Sequence, residues 1–257
     1  MSAFEPQTVL DVRHWTDTLF SFTTTRSASF RFNSGQFTMV GLQMGPAPLA
    51  RAYSLAGAHY DDMLEFFSIK VQDGPLTSKL QHLRQGDVVL VGRKATGTLV
   101  LHHLLPGRRL CLFATGTGLA PFASLIRDPE VYERFEHVVL VHGCRRRAEL
   151  AYGECVVDAV RDSEFLGPLA RAQLVYHPTV TREPFRNQGR LTDLMASGRL
   201  WRDLGQAPLD AESDRVMLCG GPAMLRETQD MLEGAGFVEG SGNKPGGYVV
   251  EKAFVEK

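Results

Sequence analysis

The hydrophobic period of this chain changes once, near Pro106-Gly107, and that switch limits the possible folds more than any other feature. From Val9 to about Val100 the apolar residues come in short runs of near period two, as in Phe20/Phe22, Phe30/Phe32, Phe37/Met39 and Phe67/Ile69/Val71. Turn-rich segments separate the runs, so the spacing predicts an antiparallel barrel or sandwich. One helix is predicted in this half, over Leu76 to Leu83, where Leu76, Leu80 and Leu83 recur at helical intervals behind the Gly74-Pro75 breaker. Gly86-Asp87 then restarts a strand over Val88 to Val91. Beyond the switch, apolar strands alternate with helices. Strands are predicted at Leu110 to Ala114, Val138 to His142, Leu174 to His177, Val216 to Cys219 and Tyr248 to Val250. Helices are predicted at Pro121 to Ile126, Glu149 to Val160, Leu191 to Leu200 and Ala223 to Leu232. Such alternation builds an α/β unit around a parallel, five-stranded sheet. The boundary is expected near 102 to 108, giving units of 1–102 and 103–257.

A length of 257 residues accommodates two cores, and 44% hydrophobic with 22% charged residues excludes a disordered or fibrous chain. The 28 basic and 29 acidic residues nearly cancel, so no global field attracts nucleic acid or an anionic membrane, and any basic partner site is local. The uncharged stretch between Arg109 and Arg127 is interrupted by Thr115 to Gly118 and by Pro121, so no transmembrane helix is expected. Met1 to Phe20 mixes Glu5, Asp11, Arg13 and Asp17 with apolar residues and lacks the blocks of a signal peptide, so a cytoplasmic location is expected. The cysteines, Cys111, Cys144, Cys155 and Cys219, form no CxxC pair, which speaks against disulfides, iron-sulfur clusters and structural zinc. The histidines show no ligand spacing, so no metal is assigned. Neither GxSxG nor a glycine loop ending in GK[ST] occurs, which argues against serine hydrolases and P-loop NTPases.

Open parallel sheets bind ligands beyond the carboxyl ends of their strands, which directs attention to the segments after each run. Thr115-Gly116-Thr117-Gly118 follows the first strand and precedes a helix that opens with Pro121. Glycines let backbone N–H groups approach an anion, although a tight strand-to-helix turn uses glycines without any ligand. Arg145, in Gly143-Cys144-Arg145-Arg146-Arg147, and Arg182, in Thr179-Val180-Thr181-Arg182, follow the second and third strands. An arginine pair there suits a nucleotide 2'-phosphate, with Arg190 a looser candidate. The triplet reads equally as a solvated helix start or a docking patch for an acidic protein. Cys219-Gly220 ends the fourth strand among the ligand-facing tips, where a thiol could touch a nicotinamide or serve as a small buried hydrophobe. In the first half, Arg51-Ala52-Tyr53-Ser54 combines a fixed cation, an aromatic face and a hydroxyl, a set that suits a flavin nucleotide and also an ordinary barrel strand. Phe67-Ser68-Ile69-Lys70 and the turn Gly74-Pro75-Leu76-Thr77-Ser78 supply amides and hydroxyls for the same pyrophosphate.

Taken together and in order, RAYS, FSIKVQDGPLTSKL, ATGTGLAP, CGGP and the tail YVVEKAFVEK resemble the ferredoxin-NADP(H) reductase family through nearly the whole chain, and in particular its bacterial ferredoxin/flavodoxin subgroup. The resemblance implies an FAD-binding antiparallel barrel followed by a Rossmann-like NADP(H)-binding unit whose tail returns to the flavin. It assigns FAD to Arg51, Ala52, Tyr53, Ser54, Phe67, Ser68, Ile69, Lys70, Leu76, Thr77 and Ser78, with Tyr53 against the isoalloxazine and Ser54 near its N5. It assigns NADP(H) to Thr115, Gly116, Thr117, Gly118, Arg145, Arg182, Cys219 and Gly220. Ser54, Cys219 and Glu251 are the implied catalytic positions. Ala253 stands where plastid members end in a flavin-covering tyrosine, and Phe254 matches an aromatic placed on the adenine of a bent FAD. The implied reaction exchanges hydride between NADP(H) and flavin, coupled to one-electron transfer with ferredoxin or flavodoxin. The alternatives are a reductase component of a multicomponent oxygenase, a cluster-bearing dehydrogenase subunit and a non-catalytic nucleotide-binding module.

Overall fold

A computed structural model of the chain describes residues 3–252. Its first half contains β1 (Phe4–His14), β2 (Leu19–Thr25), β3 (Phe37–Gln43), β4 (Pro48–Ser54), β5 (Met63–Ile69), the single turn α1 (Thr77–Leu80) and β6 (Val88–Gly92). The six strands form an antiparallel sheet in the order β4-β3-β6-β1-β2-β5. A bridge from Leu55, just past β4, to Phe66 in β5 joins the two edges at one end, so the sheet is barrel-like. The period of two decides which way the side chains point. Phe20 and Phe22 of β2 face a core with Phe66, Val89 and Val91, while Leu19 faces the second half of the chain.

That second half contains β7 (Arg109–Thr115), α2 (Ala120–Leu125), α3 (Pro129–Arg134), β8 (His137–Cys144), α4 (Ala151–Asp162), α5 (Gly167–Gln173), β9 (Leu174–Val180), α6 (Leu191–Ala196), α7 (Arg199–Leu204), β10 (Asp214–Gly220), α8 (Pro222–Gly234) and β11 (Tyr248–Lys252). All five strands run parallel in the order β11-β10-β7-β8-β9. Helices cover both faces, as a parallel sheet requires. Leu110, Leu112 and Ala114 of β7 pack with residues of α2 to α5, whereas Cys111 and Phe113 pack with residues of α6 to α8. Among the described residues no helix is long and apolar enough to cross a membrane.

The core on the α2–α5 side continues into the first sheet through Leu19, Ala56, Phe67 and Leu99. Tyr152 of α4 stacks on Phe67 with ring centroids 4.0 Å apart. Its hydroxyl donates to Glu65 Oε1 at 2.9 Å, and Arg127 Nη1 donates to Glu65 Oε2 at 2.9 Å. One carboxylate of the barrel is thus gripped by two groups of the parallel-sheet half.

Several local expectations need correction. The Leu76-to-Leu83 segment buries the three leucines as its spacing requires, but only Thr77–Leu80 is helical. Past Leu80 the amides of His82 and Leu83 bond three residues back, which tightens the chain into turns before β6. Phe30 and Phe32 are buried in coil rather than in a strand. Arg26 holds that coil by donating to the carbonyls of Phe30, His59 and Asp61. The helix expected over Leu191 to Leu200 divides into α6 and α7 because Gly198 takes a left-handed φ of 70°. A 3-10 turn at Arg147–Leu150 precedes α4, and α3 and α5 had no counterpart in the expected helices.

Candidate functional site

Two cavities open where the barrel-like sheet meets the carboxyl ends of the parallel strands, one of about 600 Å³ and one of about 750 Å³. Ile69 and Thr117 line both, so the cavities share a wall. The edge strand β4 brings Arg51, Ala52, Tyr53 and Ser54 to the first cavity. The Tyr53 ring stands edge-on to Phe66 at 6.4 Å, and burial raises its phenol above the ordinary range, so it stays neutral. Arg51 is exposed and donates to the Ala50 carbonyl at 2.9 Å. The end of β5 adds Phe67, Ser68 and Ile69, and the following turn adds Leu76 and Thr77. That turn closes on itself. A Cβ at Gly74 would lie 2.3 Å from Thr77 Oγ1, so only glycine lets the Thr77 hydroxyl reach the Val71 carbonyl at 3.4 Å.

The opposite wall comes from the parallel sheet. Register places Cys219 of β10 beside Glu251 of β11, and both line the first cavity. Burial, reinforced by the Glu251 charge, pushes the Cys219 thiol up, so it remains protonated. Glu251 Oε1 accepts the Thr98 N–H at 3.2 Å, while Thr98 Oγ1 donates to the Val250 carbonyl at 2.7 Å. Glu251 Oε2 is buried with no hydrogen-bond partner among the described residues. Burial therefore outweighs the Thr98 bond and raises the Glu251 carboxyl to about 7. This slot offers a planar ring an aromatic neighbour, a hydroxyl, a thiol and a carboxyl that changes charge near neutrality.

The second cavity sits at the point where the sheet order reverses: β8 and β9 lie on one side of β7, and β10 and β11 on the other. Thr115 ends β7, and Gly116 and Thr117 follow it; Gly143, Cys144 and Arg145 end β8 or follow it; Thr179, Thr181 and Arg182 do the same for β9. Gly116 takes a left-handed φ of 55°. Thr115 Oγ1 accepts the Gly221 N–H at 3.0 Å and ties the diverging loops together. The Arg182 N–H donates to the Arg145 carbonyl at 2.9 Å, so two exposed guanidinium groups spring from adjacent backbone. Thr179 Oγ1 is buried and has no partner among the described residues. Arg190 also lines this cavity, but its guanidinium donates to Glu227 at 2.7 and 2.8 Å.

The structure brings most of the expected positions together. Lys70, Ser78, Gly118 and Gly220 are not among the described residues that line either cavity. Lys70 Nζ instead donates to the Thr16 carbonyl at 2.8 Å. The two glycines permit close approach: a Cβ at Gly118 would lie 2.4 Å from the Cys219 carbonyl oxygen, and one at Gly220 would lie 2.2 Å from Thr115 Oγ1. Ala253 and Phe254 lie outside the described residues. Sequence reasoning missed Phe37 and Thr98 in the first cavity and Thr179, Thr181 and Thr192 in the second. Thr179 and Thr181 come just after the predicted strand Leu174 to His177, where ligand-facing residues were sought, and were legible in principle; Phe37 and Thr98 are not adjacent to any motif.

The family model for the oxidoreductase NAD-binding domain matches residues 112–230. The chain is 56% identical to a ferredoxin–NADP reductase of Azotobacter vinelandii and 54% identical to one of Pseudomonas aeruginosa, each over 100% of both chains. Its fold is similar to that of a ferredoxin NADP+ reductase from Neisseria gonorrhoeae solved with bound FAD and NADP. That likeness has a TM-score of 0.89 and 31% identity, and covers 99% of this chain and 100% of the other.

Proposed function

Because the chain belongs to the ferredoxin–NADP reductase family, we propose that residues 1–102 hold FAD in the first cavity and residues 103–257 hold NADP(H) in the second. The chain is an oxidoreductase of that class. When bound, FAD supplies an electron sink that exchanges hydride with nicotinamide and passes single electrons to a carrier protein, here ferredoxin or flavodoxin. The observation that carries the site reading is the shared wall at Ile69 and Thr117, which gives two ring systems a common border beside Cys219 and Glu251.

The residues present fit that cofactor. Tyr53 offers a neutral aromatic face, Ser54 a hydroxyl donor, and Arg51 a cation for a pyrophosphate, with the Thr77 hydroxyl nearby. The Glu251 Oε2, without a partner among the described residues, calls for a donor that none of them provides. A carboxyl titrating at about 7 can hold a proton at Oε2 or release it near neutral pH. Cys219, kept as a thiol, fills the wall without adding charge. Arg145 and Arg182 grip a 2'-phosphate from neighbouring backbone positions, and Thr179 Oγ1 adds a hydroxyl.

An absorption spectrum of the purified protein, followed by anaerobic addition of NADPH and of NADH, tests this reading. A yellow protein bleached faster by NADPH is expected. A colourless protein that takes up no FAD would overturn it.

A further inference from the structure

A polar pair, His142 and Tyr176, lies beneath the Gly116 loop and has no part in the binding account above. His142 of β8 is fully buried. Its Nε2 is 3.0 Å from the Gly116 carbonyl oxygen, and its Nδ1 is 3.2 Å from the Tyr176 hydroxyl. A carbonyl can only accept, so Nε2 carries the proton, Nδ1 accepts, and Tyr176 donates to it. Burial pushes the imidazole down to about 4, against the opposing pull of the Gly116 bond, so the ring is neutral at physiological pH. Cys144 Sγ approaches the same Nε2 at 3.3 Å and the Glu149 carbonyl oxygen at 3.8 Å, which gives the thiol hydrogen its own acceptor. Space for the pair is set aside in α4. A Cβ at Gly153 would lie 2.7 Å from the Tyr176 hydroxyl oxygen and 3.1 Å from His142 Nδ1.

The consequence concerns a single peptide plane. The Gly116 carbonyl and the Thr117 N–H belong to the same trans peptide and point in opposite directions. With the carbonyl held toward β8 by His142, the Thr117 N–H points away from it, and Thr117 lines both cavities. The same residues open a 3-10 turn, Gly116–Leu119, so the His142 bond adds a side-chain anchor to a peptide that local backbone bonding alone holds loosely at a glycine.

We infer that His142, fixed in one tautomer by Tyr176, is a positioning residue for the dinucleotide: it pins the Gly116–Thr117 peptide so that the Thr117 N–H meets a phosphate oxygen. The inference rests on the reading that NADP(H) occupies the second cavity. A ring that merely filled the core would affect stability without changing the relative affinities of ligands that do and do not reach this peptide.

Titration of the flavin-loaded protein with NADP+ and with 2'-AMP separates the cases. 2'-AMP carries the phosphate proposed for the arginines and lacks the diphosphate. His142→Phe should weaken NADP+ about tenfold, the worth of one misdirected hydrogen bond to an anion, while 2'-AMP changes less than about twofold. His142→Gln restores an N–H donor and should recover most of the loss. Tyr176→Phe removes one oxygen from a partly exposed ring, should weaken NADP+ roughly threefold, and answers the question if His142→Phe does not fold. Unchanged NADP+ affinity in the folded variants, or equal losses for both ligands, would overturn the inference. Failure of the wild-type protein to bind either ligand would instead remove the functional reading beneath it.

Discussion

Replacing Glu251 by glutamine should change how stability depends on pH. In the folded protein the carboxyl keeps its proton up to about 7, against an ordinary value of 4.5, because burial disfavours the carboxylate more than the Thr98 N–H favours it. Between those two values the folded state binds more protons than the unfolded state, so stability falls as pH rises. Below the lower value there is no penalty, and above the upper one it is complete. At about 1.4 kcal/mol per pKa unit, the full penalty is about 3 kcal/mol, of which roughly 2–3 kcal/mol develops between about pH 5 and 8. Glutamine cannot ionise and still offers an Oε1 acceptor to Thr98. Urea unfolding of both proteins across that range should show Glu251→Gln exceeding wild type by less than about 1 kcal/mol at the acid end and by about 3 kcal/mol at the alkaline end. A chain of this size should show a melting-temperature gap of about 5–10 °C there. Parallel pH profiles would refute the reasoning, since they would mean that Glu251 ionises as freely in the fold as out of it.

Three other perturbations have defined outcomes. Gly116→Ala meets open space but a left-handed φ, so chemical denaturation should register a loss of about 1–2 kcal/mol from the backbone alone. Glu65→Ala leaves the largely buried Arg127 guanidinium without its carboxylate and the Tyr152 hydroxyl without its acceptor; urea unfolding should register a loss of about 3–5 kcal/mol. Arg145→Ala should weaken NADPH by about 1.5–3 kcal/mol while leaving NADH nearly unchanged, and Arg190→Ala should discriminate less because Glu227 already occupies that guanidinium. Direct titration with both nucleotides checks the pair, and equal losses for NADPH and NADH in Arg145→Ala would refute its 2'-phosphate role.

The parts of the fold legible in the sequence are those governed by local spacing. The switch near Pro106-Gly107 separates the antiparallel from the parallel sheet, and each of the five predicted parallel strands lies within β7, β8, β9, β10 or β11. What escaped depends on partners far away in the chain. Phe30 and Phe32 have strand spacing, yet their segment is held as coil by the Arg26 guanidinium and the carbonyls of His59 and Asp61. Arg190 resembled a free cation until Glu227, on α8, was placed beside it. Glu251 would by default be a surface charge. Its burial follows from the β10–β11 register and from Thr98 and Gly97, whose own backbone lies near the seam between the sheets. The His142–Tyr176 pair carries no motif at all, since it joins neighbouring parallel strands by tertiary contact.

The shared wall at Ile69 and Thr117 is the feature on which the functional account stands. Rapid anaerobic mixing with NADPH bearing deuterium at one or the other face of nicotinamide C4 tests it most directly. The account predicts slower flavin bleaching for one stereoisomer only, because two rings meeting across a fixed border exchange hydride from a single face. Equal rates for both stereoisomers and for unlabelled NADPH under conditions where reduction itself is observed would contradict it.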